Sequence, residues 1–227
     1  LVWGELEFVL PDGQVVRLHG TEWQETRRFF THINQVWQGW SEEMSQVAAQ
    51  VLSEQQDNIQ QMTDQEKWLK HRDLLALQQN VRQAFAALPL PVTRLNEFAQ
   101  CREALRFCQQ LLEQGDTFRQ QCNKNYTRQM LEKYADVFEH IESAPLNSSQ
   151  AEAVVNDEDS LLVLAGAGSG KTSVLVARVG WLLQRSQVAE EQILLLAFGR
   201  KAALEMEQRL ADRLSADSLS VKTFHAL

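Results

Sequence analysis

Three glycines punctuate a segment that ends in a lysine and a threonine: Ala165, Gly166, Ala167, Gly168, Ser169, Gly170, Lys171 and Thr172. Glycine adopts positive φ readily, so such a run can curl until successive N–H groups converge on an anion. Phosphate is the natural guest. Lys171 offers a mobile cation to the β- and γ-phosphates of a nucleotide such as ATP, and the Thr172 hydroxyl can ligate Mg²⁺. These two are the candidate catalytic residues, Thr172 is the candidate metal ligand, and residues 165–172 together are the candidate cradle. The strict pattern G-x-x-x-x-G-K-[ST] wants glycine where Ala165 stands, which is its one departure.

Cradling a triphosphate is common to kinases, GTPases, transport ATPases and helicases, so the loop names a nucleotide site and not a reaction. Flanking residues must decide. Upstream, Leu146-Asn-Ser-Ser-Gln150 ends in an amide that can both donate to and accept from a base edge. Downstream, Phe198, Arg200 and Lys201 form one group and Thr223, Phe224 and His225 another. The two phenylalanines can stack on bases, Lys201 can meet a phosphate, and Thr223 and His225 can donate to a nucleic-acid backbone.

The elements that must position these groups alternate in character. Leu161 to Ala165 reads as a strand, Thr172 to Arg185 as a helix, Ile193 to Phe198 as a strand, Arg200 to Leu214 as a helix, and Ser220 to Phe224 as a third strand. This βαβαβ order predicts a parallel sheet with its ligand at the carboxyl ends of the strands. A break at Ser143-Ala-Pro-Leu146 separates it from an upstream helical region. There, residues 1–20 form a hairpin turning at Pro11-Asp12-Gly13, and a helix follows with Thr21 as N-cap and Gln24 at its third position. Its stripe of Trp23, Phe30, Ile33, Trp37, Trp40, Met44, Val47 and Val51 is expected to be buried. A second helix carries Leu74, Leu77, Val81, Phe85 and Leu88 up to a bend at Pro89 and Pro91. A third carries Leu95, Phe98, Cys101, Leu105, Cys108 and Leu112, and a fourth Met130, Tyr134, Val137 and Ile141.

The ordered motifs resemble those of the superfamily 1A DNA helicases of the UvrD/Rep type. Leu146-Asn-Ser-Ser-Gln150 is similar to that family's Q motif, where the glutamine reads adenine. Residues 165–172 are similar to its motif I, residues 197–206 to motif Ia, and Thr223-Phe-His225 to motif Ib. The resemblance implies an ATP- and Mg²⁺-dependent helicase that steps 3′ to 5′ on single-stranded DNA and opens duplex junctions. Gln150 would then bind nucleotide, and Phe198, Arg200, Lys201, Thr223, Phe224 and His225 would touch DNA. It also implies an α/β, RecA-like P-loop sheet, incomplete here, over residues 146–227, preceded by a helical bundle over 21–145 and the hairpin of 1–20. A rival phosphotransferase keeps Lys171 and Thr172 but treats 197–225 as ordinary sheet and helix. A second rival makes the helical region a module that binds a protein partner.

An acidic Walker B site and an arginine finger complete such a motor, and neither stands in these residues. Asp157-Glu158-Asp159 and Glu190-Glu191 are expected to be solvated loop charge. Residues 1–227 are therefore expected to bind nucleotide without hydrolysing it. A start without Met and an end at Leu227 suggest a piece of a longer protein.

The 227 residues are 44% hydrophobic and 23% charged, which suits a folded globular chain. The net charge is −8, yet residues 165–227 hold eight Lys and Arg against six Asp and Glu, or +2, leaving −10 upstream. Local charge therefore does not oppose a nucleic acid at the downstream motifs. No run is long enough to span a membrane, and no leader pattern opens the sequence, so a cytoplasmic location is expected. Cys101, Cys108 and Cys122 form neither a zinc pattern nor a disulfide framework and are expected to pack on helix faces.

Overall fold

The computed structural model describes residues 3–9, 14–63, 66–142, 144–166, 168–214 and 219–227. The chain divides into two compact units that interleave along the sequence: Leu1–Ile59 with Leu77–Glu113, and Gln60–Ala76 with Gln114–Leu227.

In the first unit, β1 (Trp3–Val9) and β2 (Val15–Glu22) form the expected antiparallel hairpin, from Trp3 opposite Glu22 to Val9 opposite Val15. Its turn at residues 10–13 lies outside the described residues. Helix α1 (Trp23–Met62) follows without a break. Thr21 is not its N-cap, because pairing with β1 carries β2 through Glu22. The Thr21 hydroxyl donates instead to the Gly4 carbonyl at 3.1 Å and so ties strand to strand.

The aromatic stripe of α1 is a second correction. Trp23, Phe30, Ile33, Trp37, Trp40 and Val47 are all exposed, whereas Ser41, Ser45, Ala48, Leu52 and Ile59 are buried. Around Ser41, Ser45 and Ala48 the burying face is made of small residues, and α4 comes close there: Gln100 Nε2 donates to Ser45 Oγ at 2.6 Å and the Cys101 thiol to the Ser45 carbonyl at 3.3 Å. Periodicity shows that a face exists; contact decides which one is covered.

Helix α2 (His71–Ala86) places Leu77 and Val81 in this unit's core, and the prolines bend the chain into the short α3 (Val92–Leu95). The third expected helix is part of the longer α4 (Ala99–Lys133), which is broken at Gln114 (φ −126°, ψ 30°), and the fourth is split, with Met130 at the end of α4 and Val137 on a separate short helix after a break at Tyr134. Leu105, Cys101, Cys108 and Leu111 are buried before that kink. Burial pushes the Cys108 thiol up to about 11 and also raises Cys101 and Cys122, so these are packed thiols of low reactivity.

The second unit contains α5 (Ala135–His140), α6 (Ser148–Val155), α7 (Lys171–Gln184), β3 (Leu194–Ala197), α8 (Arg200–Leu214) and β4 (Ser220–Thr223). The strands are parallel, in register from Leu194 opposite Ser220 to Ala197 opposite Thr223, with α8 as the crossover. Residues 161–165, expected as the first strand, pair with nothing among the described residues, and Leu162 and Leu164 are 81% and 85% exposed. A strand is made by pairing, and among the described residues β3 and β4 pair only with each other.

Helix α7 is apolar on both sides and is packed on both. Val176 and Val179 meet Leu195, Met206, Leu210 and Leu219. Val174, Ala177 and Trp181 meet Tyr126, Met130, Phe138, Val154 and Val155. Fully buried Trp181 stands edge-on to Tyr134 at 4.9 Å. The helix that follows the glycine-rich loop is thus held between the two-stranded sheet and the helices that precede it.

Candidate nucleotide and nucleic-acid site

Helix α6 begins with a full capping box. The Gln150 N–H donates to Asn147 Oδ1 at 3.0 Å, and Gln150 Oε1 accepts from the Asn147 N–H at 2.9 Å. The same side chain reaches forward: its Nε2 donates to the Ser169 carbonyl at 3.0 Å. An amide carries two N–H donors and two carbonyl lone pairs, so Gln150 keeps one of each. It can face an adenine edge while still holding the glycine-rich loop.

That loop turns on Gly168 and Gly170, at φ +74° and +83°. Gly170 is the N-cap of α7, and a Cβ there would lie 2.5 Å from Gln150 Nε2. Close approach and left-handed backbone both require glycine. Ser169 Oγ donates to the Gly166 carbonyl at 2.8 Å, closing the turn. Lys171 Nζ donates back to the carbonyls of Ala165 at 3.1 Å and Gly166 at 2.6 Å, so the ammonium sits over the loop. The unpaired N–H groups of the first turn of α7 add the positive end of the helix dipole. This donor set suits a polyphosphate. Thr172, half-buried in that turn, would hold Mg²⁺ beside it. Ala167 lies outside the described residues.

The acidic run before the loop is not solvated, contrary to expectation. Arg178 of α7 donates to Asp157 at 2.9 Å and to the Val154 carbonyl at 2.6 Å. Arg119 bonds Glu158 at 2.8 Å, and the His71 N–H donates to the same carboxylate at 3.1 Å. Lys70 and Arg72 each meet Asp159 at 3.2 Å. Burial works against the Glu158 charge, but the N–H groups of His71 and Asp159 and the Arg119 guanidinium outweigh it and hold the carboxyl below its usual range. Sequence pattern missed this because four of the five partners lie on elements remote in sequence.

The downstream candidates come together through the sheet. Ala197 and Thr223 are the last paired residues of β3 and β4, and Phe198 and Phe224 follow them directly. Both rings stand in solvent, at 93% and 62% exposure, so neither is core. Arg200, Lys201 and His225 are exposed near the same strand ends, and Thr223 is half-buried. The strand expected over Ser220 to Phe224 stops at Thr223, and Phe224 opens a 3-10 turn, Phe224–Ala226; two exposed aromatic rings just past the ends of adjacent parallel strands suit stacked bases with cations beside them.

Known proteins share both halves. A family model described as DNA helicase IV / RNA helicase N terminal matches residues 1–113, and one described as UvrD/REP helicase N-terminal domain matches residues 146–227. The chain is 60% identical over all 227 residues to DNA helicase IV of Escherichia coli K12, covering 33% of that protein. Over 85 residues it is 49% identical to ATP-dependent DNA helicase PcrA of Leuconostoc citreum, or 36% of this chain and 11% of that one. Over 84 residues it is 45% identical to DNA helicase II of E. coli K12, or 36% and 12%. The chain thus spans about a third of the length of the relative it matches throughout.

Proposed function

Since the chain belongs to the UvrD/Rep helicases, we propose that its protein couples ATP hydrolysis to 3′ to 5′ movement along single-stranded DNA and to opening of duplex junctions. The observation that carries this reading is the exposure of Phe198 and Phe224, each directly after the last paired residue at the carboxyl ends of β3 and β4. A phosphotransferase has no use for two exposed aromatic rings there. The α7 cluster joins that sheet to the phosphate loop, so movement at the nucleotide can be felt at the strand ends.

In this reading, Lys171 and the α7 N–H groups bind the β- and γ-phosphates, Thr172 holds Mg²⁺, and Gln150 reads adenine. Mg²⁺ supplies charge neutralisation at the transferring phosphoryl group. Phe198 and Phe224 stack on bases while Arg200, Lys201, Thr223 and His225 contact the strand. Residues 146–227 are read as the first part of a RecA-like domain in which Leu161–Ala165 becomes a sheet strand. The protein works in the cytoplasm. β3 and β4 end on Ala197 and Thr223, and Asp157, Glu158 and Asp159 are ion-paired, so residues 1–227 by themselves bind MgATP without turning it over.

The test uses the full-length protein. Lys171→Ala is expected to abolish ATP turnover with and without DNA. Phe198→Ala and Phe224→Ala are each expected to weaken single-stranded DNA binding about tenfold, a base stack being worth roughly 1–3 kcal/mol, and to lower DNA-stimulated turnover. Unaltered DNA affinity and stimulation in both would favour another P-loop enzyme, and turnover by residues 1–227 alone would remove the claim about that polypeptide. A second reading rests on the exposed aromatics of α1, through which the helical region would recruit a protein partner. Undiminished recruitment after removal of residues 1–59 would end it.

A further inference from the structure

The segment that delivers the chain to the phosphate loop is gripped well before the loop as well as at it. After α6, residues 156–166 run without secondary-structure pairing among the described residues, and the acidic triplet is where they are gripped ahead of the loop. Two kinds of grip meet there. Arg178 joins Asp157 to α7 and so closes a ring from α6 through the loop and back. The other grip comes from the helical region: Arg119 of α4 on Glu158, and Lys70 and Arg72 on Asp159.

The side chains of Arg119 and Glu158 are only 21% and 20% exposed, so water screens this pair less than an ordinary surface bridge. The His71 N–H on the other Glu158 oxygen and the Asn156 carboxamide oxygen accepting from the Glu158 N–H at 3.1 Å fix the orientation of that carboxylate. Lys70 is itself placed by its neighbour Leu69, whose N–H and C=O are both bonded to buried Asn123 of α4, at 2.8 and 3.0 Å. The convergence of these cations on three successive carboxylates, six to eight residues before Ala165, does one thing: it sets where the phosphate loop begins.

We propose that Arg119, supported by Lys70 and Arg72, is a positioning residue for the nucleotide site, through which residues 66–72 and α4 tune the affinity of the phosphate loop. The proposal rests on residues 165–172 being an ATP site. Loss of the grip leaves the cradle's own groups, Lys171, Thr172 and Gln150, in place but lets the chain entering it sample more positions. Affinity then falls while the chemistry of a bound nucleotide does not.

In the full-length protein, Arg119→Met and Asp159→Asn are each expected to raise the KM for ATP about fivefold, a size typical of coupling between sites, with kcat changed by less than about twofold. Asp159 is exposed enough that its variant should fold even if the Arg119 variant does not. Hydrogen exchange of residues 160–170 without nucleotide should quicken in both variants, and the swap Arg119→Glu with Glu158→Arg should recover part of the loss. Unchanged KM and unchanged exchange in both variants would overturn the proposal. So would equal loss of kcat and thermal stability with no shift in KM, which marks a merely structural bridge. If the unsubstituted protein hydrolyses no ATP, the ATP reading itself fails, and the exchange comparison still decides whether the grip orders the loop.

Discussion

At the scale of single residues, the site depends on side chains that do two jobs. Gln150 completes the α6 capping box, tethers the loop through Ser169, and keeps a donor and an acceptor free. Gly170 makes that tether possible, since any side chain would run into Gln150 Nε2. Gly170→Ala is therefore expected to cost about 1–2 kcal/mol for the left-handed backbone alone and to weaken nucleotide binding by displacing the Gln150 amide. Denaturant unfolding and a nucleotide titration measure the two effects separately; full stability with full affinity would show that the loop relaxes around a methyl group. The turn of the glycine-rich loop was legible in the sequence because it is built from neighbouring residues, Gly168 and Gly170 at positive φ and Ser169 bonded to the Gly166 carbonyl. The second attachment of Gln150, 19 residues away, was not, and nor were the partners of Asp157, Glu158 and Asp159, up to 89 residues distant. A charge run looks solvated in sequence because sequence carries no record of what folds against it.

At the scale of elements, the same limit appears in the helices and strands. The 3.6-residue period located α1, α2 and α7, and the βα alternation located β3, α8 and β4. Period alone could not tell that α1 buries Ser41, Ser45 and Ala48 against α4 while its tryptophans face solvent. It also could not tell that Leu161–Ala165 lacks a pairing partner within these residues. The contrast between two tryptophans tests the assignment. Trp181 is fully buried among Tyr134, Phe138 and the α6 side chains, so Trp181→Ala should destabilise the second unit by about 3–5 kcal/mol. Trp37 is 46% exposed and touches Trp40 at 5.1 Å, so Trp37→Ala should cost within about 0.5 kcal/mol. Chemical denaturation of both variants decides, and a large loss at Trp37 would mean that the α1 stripe is covered in solution.

At the scale of the whole molecule, sequence order and folding unit do not coincide. The UvrD/REP match starts at residue 146, yet the compact unit containing it also takes in 60–76 and 114–145. Residues 60–76 supply Leu69 and Leu74 to its buried interior, set Trp68 edge-on to Tyr126 at 5.8 Å, and satisfy Asn123, which is buried. Removing them would strand a buried amide at a cost of about 1–3 kcal/mol, in addition to the loss of two leucines worth about 2–5 kcal/mol each. Against a total stability of roughly 5–15 kcal/mol, that is enough to unfold the unit. A polypeptide joining residues 60–76 to 114–227 through a flexible linker of about 15 residues should therefore unfold in one cooperative transition. Residues 114–227 alone should melt at least about 10 °C lower or show no transition. Thermal unfolding followed by circular dichroism measures both. Equal midpoints would mean that 60–76 merely decorates the unit, and the grip of Lys70 and Arg72 on Asp159 would then have no stable platform from which to act.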